Sequence, residues 1–135
     1  MNDVAWGYQD NLPKTREERV SEFNDIAHEK FNDKAQERFL FWDMFSEEVI
    51  ELKEAYYTYV RDPSSENRQE LAKEWADAQV TLSNIAWYFN LNGEKAFSRV
   101  HENNMTKVVE GKLVYSTKGK IMKPEGYQPP DMRGI

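Results

Sequence analysis

The chain has no cysteine, which excludes disulfide staples, thiolate nucleophiles and zinc-thiolate centres. It has no apolar run near the roughly 20 residues that span a bilayer, and its first residues do not read as a signal peptide. No membrane partner is expected, and the expected location is the cytoplasm. Positive charge is also short: 18 Lys and Arg against 24 Asp and Glu leave a formal net charge of −6. Affinity for a phosphate backbone comes mainly from clustered Lys and Arg, so no nucleic-acid partner is expected. Histidine occurs twice. Internal repeats and low-complexity tracts are missing, and 135 residues suit one domain with a genuine core.

What the chain does have is aromatic side chains and helical periodicity. Aromatics make up 13% of the sequence, four of them Trp, which points to a well-filled core or a pocket for a flat ligand. Residues 1–13 lack a clean period and read as an irregular arm, anchored by Trp6 and Tyr8. A first helix is expected from about Thr15 to Phe31, with Val20, Phe23, Ile26, Ala27 and Phe31 on one face. A second runs from about Asp33 to Arg61 on a stripe of Phe41, Phe45, Leu52, Ala55 and Tyr56. "RDPSSE" breaks the chain, with Asp62 or Ser64 as a cap and Pro63 in the first turn of the next helix. That third helix reaches about Phe89 on Leu71, Trp75, Ala78, Leu82, Ile85 and Phe89. "NLNGE" ends it, and a fourth follows from about Glu94 to Val108. After Gly111, "KLVYSTKGKIMK" reads as a β-hairpin and "PEGYQPPDMRGI" as an extended tail. The expected fold is all-α, a four-helix bundle over residues 14–110 with a hairpin and tail over 111–135.

Two acidic columns stand out. At 100° per residue, with Met44 at zero, Ala55 falls at about 20°, Glu48 at about 40°, Glu51 at about −20° and Glu47 at about −60°. On the third helix, with Glu74 at zero, Ile85 lies at about 20°, Ala78 at about 40° and Asp77 at about −60°. Both sets of acids therefore border a buried face. An ordinary solvated acidic face interleaves Lys or Arg at i+3 or i+4, since such pairs each stabilise a helix by roughly 0.2–0.5 kcal/mol and like pairs cost about as much. Here Glu47/Glu51, Glu48/Glu51, Glu70/Glu74 and Glu74/Asp77 are like pairs, relieved only by Lys73 to Asp77. Carboxylates beside a core without cations must take up protons or bear a desolvation cost. A shared divalent cation removes the conflict, and an all-oxygen set favours Mg²⁺ or Mn²⁺ over zinc. A ferritin-like di-iron site needs Glu-x-x-His on each of two helices. His28 has only Asp25 three residues before it and His101 follows Ser98, so both read as core or surface histidines.

"EEVIE", Glu47 to Glu51, followed after 22 residues by "EWAD", Glu74 to Asp77, resembles the E-E-x-x-E … E-x-x-D signature of the all-α, MazG-like nucleoside triphosphate pyrophosphohydrolases. The resemblance continues through "FSRVHENNMTKVVEGKLVY" and "KGKIMKPEGYQPPD", which look like the later parts of small single-domain members, often labelled phosphoribosyl-ATP pyrophosphohydrolase-like. It covers about residues 20–131. It implies Glu48, Glu51, Glu74 and Asp77 as Mg²⁺ ligands, Glu47 as general base, and Asn104 and Lys107, one turn apart on the fourth helix, as phosphate contacts. The implied reaction cleaves a (d)NTP between its α and β phosphates, giving a nucleoside monophosphate and pyrophosphate. An acidic protein binds a polyanion in this way because the ions reverse the local charge. The alternative is a non-catalytic helical protein that uses the same site for metal or nucleotide binding or for assembly. The aromatic surplus further predicts a homo-oligomer, most simply a dimer.

Overall fold

A computed structural model describes residues 14–27 and 34–135; the arm with Trp6 and Tyr8, and Phe31 of the first expected stripe, lie outside the described residues. Four helices are present among the described residues: α1 (Arg16–Ala27), α2 (Lys34–Arg61), α3 (Ser65–Tyr88) and α4 (Gly93–Met105). The fold of the described residues is thus mostly helical, as the periodicity predicts.

Helix ends follow local chemistry. Thr15 Oγ1 accepts from the Glu18 amide at 3.2 Å while the Thr15 amide donates to Glu18 Oε2 at 2.7 Å, a reciprocal capping box that starts α1. Of the two caps open for α3, Ser64 is the one used, its Oγ accepting from the Asn67 amide. Pro63 consequently sits just before the cap rather than in the first turn. Asp62 instead stiffens the connection, its carbonyl and Oδ2 both accepting from Asn67 Nδ2. Asn90, at φ 53°, takes the left-handed conformation that Asn tolerates and turns the chain out of α3. Asn92 then caps α4 by accepting from the Lys95 amide at 3.0 Å.

The chain forms two compact units, residues 1–91 and 92–135. In the first, α3 packs against both α2 and α1. The α2 and α3 helices run antiparallel, since Phe41 meets Trp87 and Tyr88 at ring-centroid distances of 5.9 and 5.2 Å, whereas Glu48 lies by Glu74 and Asp77. Val20, Phe41, Ala55 and Ala78 are the buried apolar residues among those described. The seam between α1 and α3 is polar instead. Asn24 Nδ2 donates to Asn84 Oδ1 at 2.9 Å with both residues buried, Ser83 Oγ donates to Glu17 Oε1 at 2.6 Å, and Trp87 Nε1 donates to Asp25 Oδ1 at 3.2 Å.

This seam corrects the stripe expected on α1. The inward face carries Val20 and Asn24, so Phe23, about 60° from Val20 and about 100° from Asn24 around the helix, is exposed, as is Ile26, about 60° further round. On α3, Ala78 is buried as expected but Trp75, Leu82 and, just past its end, Phe89 are exposed, and so is Tyr56 on α2. Contact with both neighbours leaves α3 two inward arcs, and these three residues fall on the flank between them.

In the second unit, α4 ends at Met105 and not at Val108. The amides of Thr106, Lys107 and Val108 donate to the carbonyls of Asn103, Asn104 and Met105, three residues back, which tightens the chain into closing turns. The expected hairpin is not seen as strands among the described residues. Two isolated antiparallel bridges, Val109 with Lys112 and Tyr115 with Ile121, take its place, with Gly111 and Gly119 at positive φ in the turns. The tail is pinned within this unit to α4. Arg99 donates to the carbonyls of Asp131 and Arg133, Asn103 Nδ2 donates to the Gln128 carbonyl at 2.6 Å, and the Tyr127 hydroxyl donates to Asn103 Oδ1 at 2.6 Å.

Candidate metal centre

Antiparallel packing of α2 on α3 brings the two acidic columns face to face. Glu48, Glu74 and Asp77 each offer a carboxylate oxygen, and these three oxygens lie within 4.8 Å of one another. No other such group of acids or histidines occurs among the described residues. Glu74 is buried, while Glu48 and Asp77 are half-buried. An octahedral Mg²⁺ with bonds of about 2.0–2.1 Å sets neighbouring ligand oxygens roughly 2.9 Å apart and opposite ones roughly 4.1 Å apart. The observed spread is therefore one that small side-chain rotations can close onto a single ion.

Two oxygens argue that the acids are not simply solvated. Glu48 Oε2 and Glu74 Oε2 are buried and accept no hydrogen bond. Buried acceptors in folded proteins are almost always satisfied, and an orphaned one bears its full desolvation penalty. The same crowding bears on the charge of Glu48. Burial first, then the charges of Glu51, Asp77 and Glu74, push its carboxyl above the ordinary range. The chemistry of the donors fits a hard divalent cation: all are carboxylate oxygens, two of the three residues also carry a buried oxygen without a partner, and no nitrogen or sulfur ligand is among them.

Of the other expected site residues, Glu51 is exposed on α2 and lies outside the three-residue group, yet it is close enough to act on both Glu48 and Glu74. It lines a cleft of about 340 Å³ together with Glu54, Ala55, Thr58, Asn67, Glu70 and Glu74. Glu47 is exposed one position before Glu48 and is not part of the group. Asn104 lies in the last turn of α4, whereas Lys107 falls in the turn beyond it; Lys107 Nζ nonetheless donates to Asn104 Oδ1 at 2.9 Å, so the pair stays together.

Lys73 is the residue the sequence undervalues. Its ammonium lies 2.8 Å from Glu74 Oε1 and 3.0 Å from Asp77 Oδ2, so it neutralises two members of the acidic group rather than one. The Lys73 hydrogen bond holds the Glu74 carboxyl below its ordinary value against the opposing effect of burial, and Lys73 itself is raised by both acids. Residues i and i+1 point in different directions on a helix, which is why spacing suggests only the contact to Asp77. The length of a lysine side chain makes the second contact available.

No helix among the described residues is long and apolar enough to cross a membrane. No family model matches the chain, and no curated protein matches it.

Proposed function

We propose that the chain is a Mg²⁺-dependent nucleotide pyrophosphohydrolase that cleaves (d)NTPs between the α and β phosphates. The observation that carries this reading is the pair of buried, unpartnered carboxylate oxygens on Glu48 and Glu74, two acids that come together from two helices and whose sequence spacing resembles the MazG-like signature. Glu48, Glu74 and Asp77 would hold the first ion, and Glu51, on the rim of the adjoining cleft, a further one or its water. Bound ions supply Lewis acidity and neutralise charge on the phosphates. Mn²⁺ suits the same oxygen donors. The protein's own part is to fix geometry and move a proton. Glu47, exposed beside the cluster, takes a proton from the attacking water; the water oxygen bonds to the α-phosphorus, and the bond from that phosphorus to the bridging oxygen breaks, releasing pyrophosphate. Asn104 and Lys107 act as phosphate contacts.

A panel of NTPs and dNTPs incubated with Mg²⁺ tests this directly. The expected products are a nucleoside monophosphate and pyrophosphate. Orthophosphate would mean that another bond is cut, and no product from any nucleotide would favour the second reading. That reading, a non-catalytic metal- or nucleotide-binding helical protein, has one specific observation in its favour: Lys73 already gives Glu74 and Asp77 an internal counter-charge.

The same reading includes a homo-oligomer, most simply a dimer. Its support is the apolar groove of about 810 Å³ along α2 and α3, lined by Val49, Leu52, Tyr56, Tyr57, Leu71 and Trp75 among others, with Tyr56 and Trp75 each about half exposed. Sedimentation at micromolar concentration should give a mass above the 16.0 kDa of one chain; a clean monomer would refute it.

A further inference from the structure

The second unit contains a crowding of like charge opposite in sign to the acidic centre. Lys107 Nζ lies 5.7 Å from the centroid of the Tyr127 ring and Lys123 Nζ lies 5.2 Å from the same centroid. One aromatic ring thus gathers two ammonium groups, each within the range of a cation–π attraction. Among the described residues neither lysine forms an ion pair. The hydrogen-bond partner of Lys107 is the neutral amide oxygen of Asn104. The ring they share is fixed, because the Tyr127 hydroxyl donates to Asn103 Oδ1 while Asn103 Nδ2 holds the Gln128 carbonyl next along the tail. The unit is basic as a whole: residues 92–135 carry eight Lys and Arg against five Asp and Glu, whereas residues 1–91 carry ten against nineteen.

We propose that Lys107 and Lys123, held around Tyr127, form a two-ammonium site for a polyphosphate anion, with Tyr127 as its positioning residue. Two cations brought to one ring without a carboxylate between them repel each other until an anion with several negative oxygens bridges them. Charge-assisted contacts from lysine to phosphate supply both affinity and the relief of that repulsion. That the anion is a phosphoanhydride rests on the pyrophosphohydrolase reading, which offers one as substrate and product. The site itself stands on the second unit alone.

The probe is inorganic pyrophosphate, titrated by calorimetry into the full chain in EDTA, where no metal-held phosphate contributes and no turnover occurs. Lys107→Gln and Lys123→Gln should each raise Kd about tenfold, the size expected for loss of one charge-assisted contact. Tyr127→Phe keeps the ring and should stay within about threefold of the parent, whereas Tyr127→Leu removes the ring face and should weaken binding at least about fivefold. Lys118→Gln, at an exposed lysine of the same unit, removes the same charge and should change Kd less than about twofold. Parental affinity in Lys123→Gln overturns the site, as does an equal loss in Lys118→Gln, which would reduce the effect to net charge. Equal Kd values for Tyr127→Phe and Tyr127→Leu would remove the positioning role. A chain that binds pyrophosphate in this way but cleaves no nucleotide keeps the site and loses the hydrolase; the reverse result keeps the hydrolase and loses the site.

Discussion

The first 91 residues and the last 44 both crowd like charges, but they do so on different supports. The acids stand on α2 and α3, two long packed helices, and the packing buries Glu48 Oε2 and Glu74 Oε2 without partners. The lysines stand on a turn and a tail, with Lys123 exposed and one tyrosine ring shared by both. Crowding on rigid, partly buried helices costs free energy that only a bound cation, a proton or Lys73 can offset. Crowding on an exposed tail costs much less, because water and salt screen it. The metal-free acidic centre should therefore be a destabilising feature retained for function, and the lysine pair a nearly neutral one. Substitutions on either side can break that contrast.

The largest effect is expected at Glu51. Glu51→Gln preserves shape and removes a negative charge beside Glu48 and Glu74. In EDTA the variant should melt at or above the parental temperature. Added Mg²⁺ should stabilise the parent by mass action and the variant less. Pyrophosphate release should fall at least about a hundredfold, as misplacing an ion that activates water requires. A variant that is less stable in EDTA and still active would make Glu51 a structural residue and end the contrast.

On the basic side, Lys107→Ala should lower kcat/KM by roughly 10- to 100-fold, the equivalent of a charge-assisted contact worth about 1.5–3 kcal/mol, while the Mg²⁺ dependence of melting stays parental. If the Mg²⁺ dependence moved instead, Lys107 would act on the metal ligands rather than on phosphate.

Next in size is a change that leaves both charged clusters alone. Asn24 and Asn84 are buried polar residues like Glu74, but they satisfy each other. Asn84→Ala should strand the Asn24 amide and cost about 1–3 kcal/mol, visible in urea unfolding with an unchanged slope. Satisfied and orphaned buried polar groups would then differ in sign: losing a partner destabilises at Asn84, whereas losing a charge at Glu51 does not.

Which features the sequence made legible follows from the range of the forces involved. Helix extents depend on period and caps, both local, so α2 and α3 match their expected bounds to within about one residue and "TREE" marks the start of α1. That acids on both α2 and α3 border a buried face was also readable from angular position, but that Glu48 rather than Glu51 meets Glu74 and Asp77 was not, since Glu51 lies as near the stripe. Nor was the α1–α3 seam. Asn24 and Asn84 are 60 residues apart and polar, so no hydrophobic period announces that they are buried. Phe23 and Ile26 drew the expected stripe to the wrong arc for that reason. The meeting of Lys123 with Lys107 was equally hidden, since it depends on the tail folding back onto α4 through Asn103, a contact no spacing rule encodes.

The smallest predicted effect is a pH dependence, and its sign is what matters. The folded-state pKa of Glu48 lies above its ordinary 4.5, chiefly through burial, so between these values the folded chain binds more protons than the unfolded one. Stability from this group therefore falls as pH rises through that window and recovers on acidification. The other shifted groups act elsewhere. Glu74 is depressed below 4.5, so its stabilisation is present above that pH and lost only below it; Asp131, held down to about 2 by Arg133, acts lower still. Lys73 is raised from 10.5, so its contribution is lost only in strong alkali. Melting of the parent and of Glu48→Gln in EDTA, compared between neutral pH and the ordinary Glu value of 4.5, consequently isolates one carboxyl. At neutral pH the variant should melt at the same temperature or a few degrees higher, and the difference should shrink on acidification as Glu48 takes up its proton. With saturating Mg²⁺ the order should reverse at neutral pH, because the ion then stabilises only the charged parent fully, and acidification should erode the parent's advantage as protons compete for the same oxygen. A parent more stable than Glu48→Gln in EDTA at neutral pH would mean that the helix-borne acids are already neutralised within the fold, and the two charged regions would no longer differ in kind.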